Sequence, residues 1–478
     1  MKILFASLVF LLGPAFACGA DLRLLEAVKG RNQSMIVGLL SHKADVNAVA
    51  EDGATPLMWA AHWDDLTTAD LLIRAGAKVN ASNQLGVTPL SLACTNGSAA
   101  LVTRLLDAGA DPNLGQLSGE TPLMTCSCSG NPDTVEALLT RGARVNQKGG
   151  HGQQTALMWA VAQQHAEVIR ILLAHGADSA ARSASGFTPL LFAAQQGDLD
   201  IAKLLLSSGA SIREAAPDYG NALVVAAASG HEAFAIAVLD RGADPDSADS
   251  SGMTALHYAL LRGVSRLVGL RVELIQHGYM FRPDMPKLVK ALLDHHANPN
   301  VRISRLSPAL PTGNGWSIDP AGATPFLLAT AALDLDVMRM LVTGGADPLL
   351  ATRENTTPLM LAAGIGLTKD RSEAEESAAL EAAKMLVDLG ADANAADSTG
   401  QTALHGAAYI GADAIIQFLV EHGARVDVKD SYGMTPVSIA EGIIPPDLRD
   451  VDKNPKIAHK STIALLRKLQ TAASPAQN

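Results

Sequence analysis

The sequence predicts an all-α repeat protein, a solenoid of about twelve stacked helix–turn–helix units with hairpin-like fingers between them. Three observations predict it. A Thr-Pro-Leu signature or a near variant begins at Thr55, Thr88, Thr121, Thr155, Thr188, Asn221, Thr254, Thr324, Thr357, Thr402 and Thr435, at gaps of 33, 33, 34, 33, 33, 33, 70, 33, 45 and 33 residues. Gly-Ala pairs at Gly76, Gly109, Gly142, Gly176, Gly209, Gly242, Gly345, Gly390 and Gly423 close a Leu-rich segment, such as that of Leu105-Leu106 or Leu138-Leu139, in the corresponding place of each period. Apolar residues make up 48% of the 478 positions but aromatic ones only 4%, so the core has to be built from small side chains in close-packed helices.

In chain order, residues 1–20 read as a secretion signal. Lys2 supplies a positive start, residues 3–12 a short apolar run, and Ala15-Phe16-Ala17 a small-residue cleavage site. Cys18 opens an alternative, a lipid anchor, although Ala15 stands where a lipidation signal usually has Leu. No other segment reaches the roughly 18 uninterrupted apolar residues that a membrane span needs. A regular array follows at 21–262, with a truncated opening unit at 22–47. Then come an interrupted region at 263–320, a second array with its cap at 321–472, and a disordered tail at 473–478.

Within each unit Thr caps the first helix with its hydroxyl, and Pro just inside loses no hydrogen bond because that amide is unpaired anyway. The helix body uses Ala where the next unit must come close, as in Leu57-Met58-Trp59-Ala60-Ala61. A second helix carries the Leu pair on its buried stripe, and Gly supplies the left-handed residue that ends it. The Ala-Asp-x-Asn run that follows, for example Ala110-Asp111-Pro112-Asn113, suits a projecting hairpin.

This T-P-L-x-x-A-A…L-L-x-x-G-A-D-x-N pattern at a 33-residue period resembles the ankyrin-repeat family over essentially the whole mature sequence. Joined to the leader, it gives the expectation of an exported bacterial ankyrin-repeat protein. The resemblance implies L-shaped units of two antiparallel helices plus a finger, and protein recognition through the concave face. Some positions depart from the pattern. The His that commonly follows T-P-L stands only at His257 and His405; Met58, Met124, Met158 and Met360 take its slot elsewhere, which replaces a polar link between repeats with soft packing. Lys43 and His296 occupy Gly positions, so those helix ends should be strained or built differently.

Three insertions break the period: about 21 residues between 263 and 288, about 16 between 301 and 320, and about 12 between 366 and 379. The first extends a helix through the apolar run 267–275. The second, with Pro308, Pro311 and Trp316, is a loop, and the third, with Glu373, Glu375 and Glu376, is solvated helix. The final unit resumes at residues 461–469 as a cap whose outer face, with Arg467 and Lys468, is polar.

Composition and motifs argue against chemistry. The formal net charge is −11, with no Lys/Arg cluster to neutralise phosphates, so nucleic acid is not an expected partner. No nucleophile–base pair, phosphate-cradling loop or metal-ligand spacing is present, so no catalytic, cofactor or metal residues are assigned and the chain is not expected to be an enzyme. Cys94 and Cys126 fall at small-residue positions of neighbouring first helices and read as buried apolar residues. A bridge needs Cα atoms within about 7 Å, and stacked helices lie about 8–10 Å apart, so none is expected. Cys126-Ser127-Cys128 is too sparse for zinc.

What remains is surface. The resemblance places partner contacts at the finger residues before each turn Gly and at the two residues after Ala-Ala on the first helix. Those slots hold Glu51, Asp52, His62, Trp63, Gln84, Leu85, Thr95 and Asn96, then Tyr409 and Tyr432, with Trp316 added from the second insertion. Trp63, Tyr409 and Tyr432 are the best candidates in so aromatic-poor a chain. The expectation is a non-catalytic scaffold of the periplasm or cell exterior that binds a partner protein. The alternatives are a secreted effector acting on host or competitor proteins, or an enzyme with its site in the 263–320 insertions.

Overall fold

The structure is a computed structural model that describes residues 21–267, 284–305, 318–366, 371–443 and 458–473. The leader with Cys18, the inserted Trp316, Pro308 and Pro311, residues 268–275 and the tail beyond residue 473 lie outside the described residues. The chain forms two compact units, Met1–Asp178 and Ser179–Asn478.

Among the described residues the first unit holds five helix pairs: Arg23–Lys29 with Gln33–Ser41, Pro56–His62 with Leu66–Arg74, Pro89–Asn96 with Ala99–Asp107, Pro122–Ser129 with Pro132–Thr140, and Ala156–Ala162 with Ala166–Ala174. The described residues of the second hold seven inner helices, of which the first, second and fourth are Pro189–Gln196, Ala222–Ser229 and Pro325–Ala332, each followed by an outer helix. Within each unit inner helices pack on inner helices and each outer helix packs on its own partner. Among the described residues strand is confined to the fingers, where Ala215–Ala216 pairs antiparallel with Gly220–Asn221.

The repeat consensus is explained by the bonds it makes. Thr55, Thr121, Thr155, Thr324 and Thr357 each accept the backbone N–H three residues on, which starts the inner helix. The outer helices bury one stripe, as with the fully covered Leu101, Val102 and Leu105, and each such Leu contributes about 2 kcal/mol. The Asn that closes G-A-D-x-N ties its finger to the next repeat with both ends of its amide. Asn80 Nδ2 donates to the Gly109 carbonyl at 3.0 Å while its Oδ1 accepts the Asp111 N–H at 2.8 Å. Asn113, Asn146, Asn300 and Asn394 repeat the pattern.

The His/Met slot shows what each side chain does there. His405 Nδ1 accepts the Thr402 N–H at 3.1 Å, so Nε2 carries the proton and donates to the Met434 carbonyl of the next repeat at 3.2 Å. Met124 and Met360 turn their sulfurs toward the N–H of Thr121 and Thr357, at 3.5 and 3.4 Å. Met therefore keeps the reach back to the cap and gives up the link forward. Lys43 and His296 do take left-handed backbone, at φ 54° and 63°, a conformation that costs a non-Gly residue about 1 kcal/mol.

Three expectations need correction. Cys94 and Cys126 are joined by a disulfide, with Cα atoms 4.5 Å apart. The expectation set a Cα limit against an axis spacing: each Cα stands about 2.3 Å off its axis, so facing positions on helices roughly 8–10 Å apart come within about 4–5 Å. Glu375 is only partly solvated. It stands in the first turn of Glu373–Asp388 and pairs with Arg266 at 2.5 Å, both side chains about two-thirds covered or more. Finally, the closing helix spans Lys460–Ala473, longer at both ends than its apolar pattern suggests; Arg467 is exposed as expected but bonds Glu441.

Candidate functional site

In the first unit the finger tips are laced by backbone bonds. Gln84 N–H donates to the Asp52 carbonyl and Leu117 N–H to the Leu85 carbonyl, both at 3.0 Å. Gln84 also donates its side-chain amide to the Glu51 carbonyl at 2.7 Å. Adjacent tips are thus held at ladder spacing, which leaves their side chains pointing outward. Leu85 is 56% exposed and Leu117 79%, the most of any large apolar side chain among the described residues. Glu51 is exposed beside them and Asp52 half-covered, its carboxylate accepting the Ala54 N–H.

At the C-terminal end of the inner helix Pro56–His62, the end away from its finger, lies an aromatic cluster. The His62 ring meets Trp63 at 4.7 Å and Trp59 at 5.6 Å, and Lys29 stands 5.3 Å over the Trp59 ring. Trp59 is buried, while Trp63 is 40% exposed. Burying the first ring and fixing the second through His62 presents Trp63 with little conformational freedom left to lose on contact.

The other predicted residues divide. Thr95 is exposed, although its hydroxyl bonds back to the Ser91 carbonyl. Asn96 reaches across to the Ala61 and His62 carbonyls at 2.9 and 3.2 Å, so its amide fixes the previous helix end as much as it offers a contact. Just beneath this pair the Cys94–Cys126 disulfide, fully buried, ties two neighbouring inner helices together. In the second unit Tyr432 is 45% exposed, whereas Tyr409 is half-buried with much of its ring already in contact.

The sequence pattern missed Leu117, although it stands two residues before Gly119 as Gln84 does before Gly86. It also missed Tyr219, 48% exposed and stacked edge-on against Phe187 at 4.9 Å. Position in the period was the available signal in both cases.

His165, His231 and His257 are committed to the scaffold. The His165 and His231 rings lie against Gly130 and Gly197 of the preceding repeats and bond the Cys128 and Gln195 carbonyls at 3.0 and 3.1 Å. His257 is wholly buried, and that burial holds it down to about 4, against the pull of backbone groups at Ala323 and Val301. Burial likewise pushes the Cys128 thiol up, with the Glu120 charge adding to it, which disfavours the reactive thiolate. Among the described residues no three His, Cys, Asp or Glu side chains converge as metal ligands would. The face offers shape, apolar side chains and acidic groups.

A family model described as ankyrin repeats in three copies matches residues 64–149, 149–216 and 373–442, and a second, described as ankyrin repeats in many copies, matches 223–268. Together these matches span more than half of the chain. Human Ankyrin repeat and SOCS box protein 16 is 30% identical over 149 residues, 25% of this chain and 33% of that protein. Serine/threonine-protein kinase 12 of Arabidopsis thaliana is 43% identical over 61 residues, 13% of each. The chain therefore spans a third or less of the curated relatives it matches. The crystal structure of the human ASB11 ankyrin repeat domain aligns at a TM-score of 0.43 and 27% identity, covering 46% of this chain and 98% of that one.

Proposed function

Because the chain belongs to the ankyrin-repeat family, we propose that it is a non-catalytic scaffold that grips a partner protein through the fingers and inner-helix ends of its first unit. The observation that carries this reading is the exposed Leu85 and Leu117 side by side on laced finger tips, with the exposed Trp63 fixed by the His62 stack at an inner-helix end. Exposed apolar side chains held this rigidly suit contact with a partner. The histidines' engagement with carbonyls and the suppressed Cys128 thiolate support a role without chemistry.

The place of action is proposed to be the periplasm or cell exterior. Residues 1–17 have the pattern of a secretion leader, and the Cys94–Cys126 bond suits an oxidising compartment. Fractionation of native cells, with intact mass of the recovered chain, tests this. Recovery of uncleaved chain from the cytoplasm sinks the export proposal, and an added acyl mass at Cys18 replaces a free protein with a tethered one. The binding reading is tested by capture on immobilised chain, wild type against Trp63→Ala with Leu117→Asp. A partner retained by the wild type and lost by the variant supports it; identical retention removes this face from consideration.

A further inference from the structure

The chain crosses its own groove in the second unit. The inner helix that begins at Ala255–Tyr258 runs on as Leu261–Leu267, past the point where its neighbours stop. At its end the Leu267 carbonyl accepts the N–H of Ile318 at 2.9 Å. The Ile318 side chain, 8% exposed, lies against the bare Cα of Gly366, where an added Cβ would stand 2.5 Å from Ile318 Cδ1. Gly366 follows the inner helix Pro358–Ala363, two repeats further on. Three residues after Ile318, the Ala321 carbonyl accepts the Arg353 N–H at 2.8 Å, and the chain has joined the finger ladder at the opposite end of these helices.

Residues 318–320 therefore run from the far ends of the inner helices to the fingers, over the inner helix Pro325–Ala332 that lies between the two anchoring repeats. Three extended residues cover about 10 Å, close to the roughly 12 Å length of an eight-residue helix. The outer helices fill the other side, so this crossing lies on the open face. Ile318 and Pro320 are buried and Asp319 exposed, which is the pattern of a segment seated on a surface.

A second link spans the same two repeats. Arg266 and Glu375 pair at 2.5 Å. Burial alone would raise the Glu375 carboxyl, but the Arg266 guanidinium and the Ser372 hydrogen bonds outweigh it and hold it at about 2. In a stack each repeat touches only its neighbours, yet both links skip one repeat. We infer that residues 318–320 are a built-in occupant of the groove, anchored by Ile318 between Leu267 and Gly366 and latched by Arg266–Glu375. They close this stretch of the second unit to an incoming partner segment. The inference rests on the proposed use of the groove for binding.

The test uses the full chain and a synthetic peptide of residues 312–324. Ile318→Asp places a carboxylate in the anchor position. The expected result is a chain that stays helical by circular dichroism, exchanges the amides of 261–267 and 318–323 roughly tenfold faster, and binds the peptide saturably while the wild type does not. Glu375→Gln, with the anchor intact, is expected to speed exchange at 261–267 alone. Where Ile318→Asp fails to fold, Ile318→Ala is read by the same two measurements. Unchanged exchange in the folded variants, or equal peptide binding by wild type and variant, overturns the inference. Faster exchange and peptide binding confined to the Ile318 variant, in a protein that captures no partner in either form, would instead count against the scaffold reading and leave the occupied groove standing.

Discussion

A buried histidine and a partly buried aspartate in the second unit pull its stability in opposite directions with pH. Burial lowers His257 to about 4, so between about 4 and 6.5 the unfolded chain binds more protons and stability falls as pH falls. Burial lowers His405 in the same sense, against the pull of the Met434 carbonyl and the Asp430 charge. Burial raises Asp284 to about 6, helped by the Asp334 charge and opposed by the Arg262 backbone bond. Between about 3.8 and 6 the folded chain therefore binds more protons there, and that contribution is lost as pH rises. His257→Met, which installs the residue used at the same slot elsewhere, is expected to flatten or reverse the pH slope. Asp284→Asn is expected to steepen the loss of stability on acidification. Urea unfolding of each variant at pH 7, 6 and 5 measures the slopes. Between pH 7 and 5 the His257 contribution alone is on the order of 2 kcal/mol, and equal slopes in all three proteins would sink the assignment.

At the scale of the helix pair, two contacts decide how closely repeats approach. The disulfide closes a separation of 32 residues between adjacent inner helices, and the chain-entropy account gives roughly 2–4 kcal/mol for a loop of that size. Reduction, or Cys94→Ala, is expected to lower the melting temperature of the first unit by several degrees and to speed exchange in Pro89–Asn96 and Pro122–Ser129. A melt indifferent to reductant would show that stacking alone sets the spacing. Gly263 is the counterpart in the second unit, where an added Cβ would run into the Leu328 carbonyl of the next inner helix. Gly263→Ala should cost about 1–3 kcal/mol, read as a lower urea midpoint. An unaffected midpoint would mean the helices separate freely. The helix starts at Thr and the left-handed ends at Lys43 and His296 were legible in sequence, because they depend on bonds within a few residues of themselves. The disulfide was not, because its partners meet only when two helices are set side by side.

For the molecule as a binder, the first unit carries exposed apolar side chains on its finger tips and at an inner-helix end, and the second carries a groove that its own chain crosses. Replacing Leu85 and Leu117 together by Asp is expected to weaken partner binding at least about tenfold, roughly 1.4 kcal/mol. The melting temperature should hold, since both side chains already face water. Tyr409→Ala should do less to binding and more to stability, because that ring is half-buried. Calorimetric titration with the captured partner and parallel melts distinguish the two, and a reversal of this order would move the contact face to the second unit. Most of the candidate face was readable from the period, since finger and helix-end slots recur every 33 residues. Which slots project was not, because exposure depends on the neighbouring finger.

The sequence by itself determined that this protein is a row of helix pairs, where most pairs begin and end, and where the period breaks. Caps, turn glycines and Leu stripes act within one repeat or on the next, so their chemistry is written locally. Only the tertiary structure decided that Cys94 meets Cys126, that Leu117 stands free, and that Ile318 reaches Leu267 and Gly366 across a repeat. Those are meetings between residues far apart in the chain, fixed by how closely helices pack and by the path an insertion takes, and no repeat pattern encodes either.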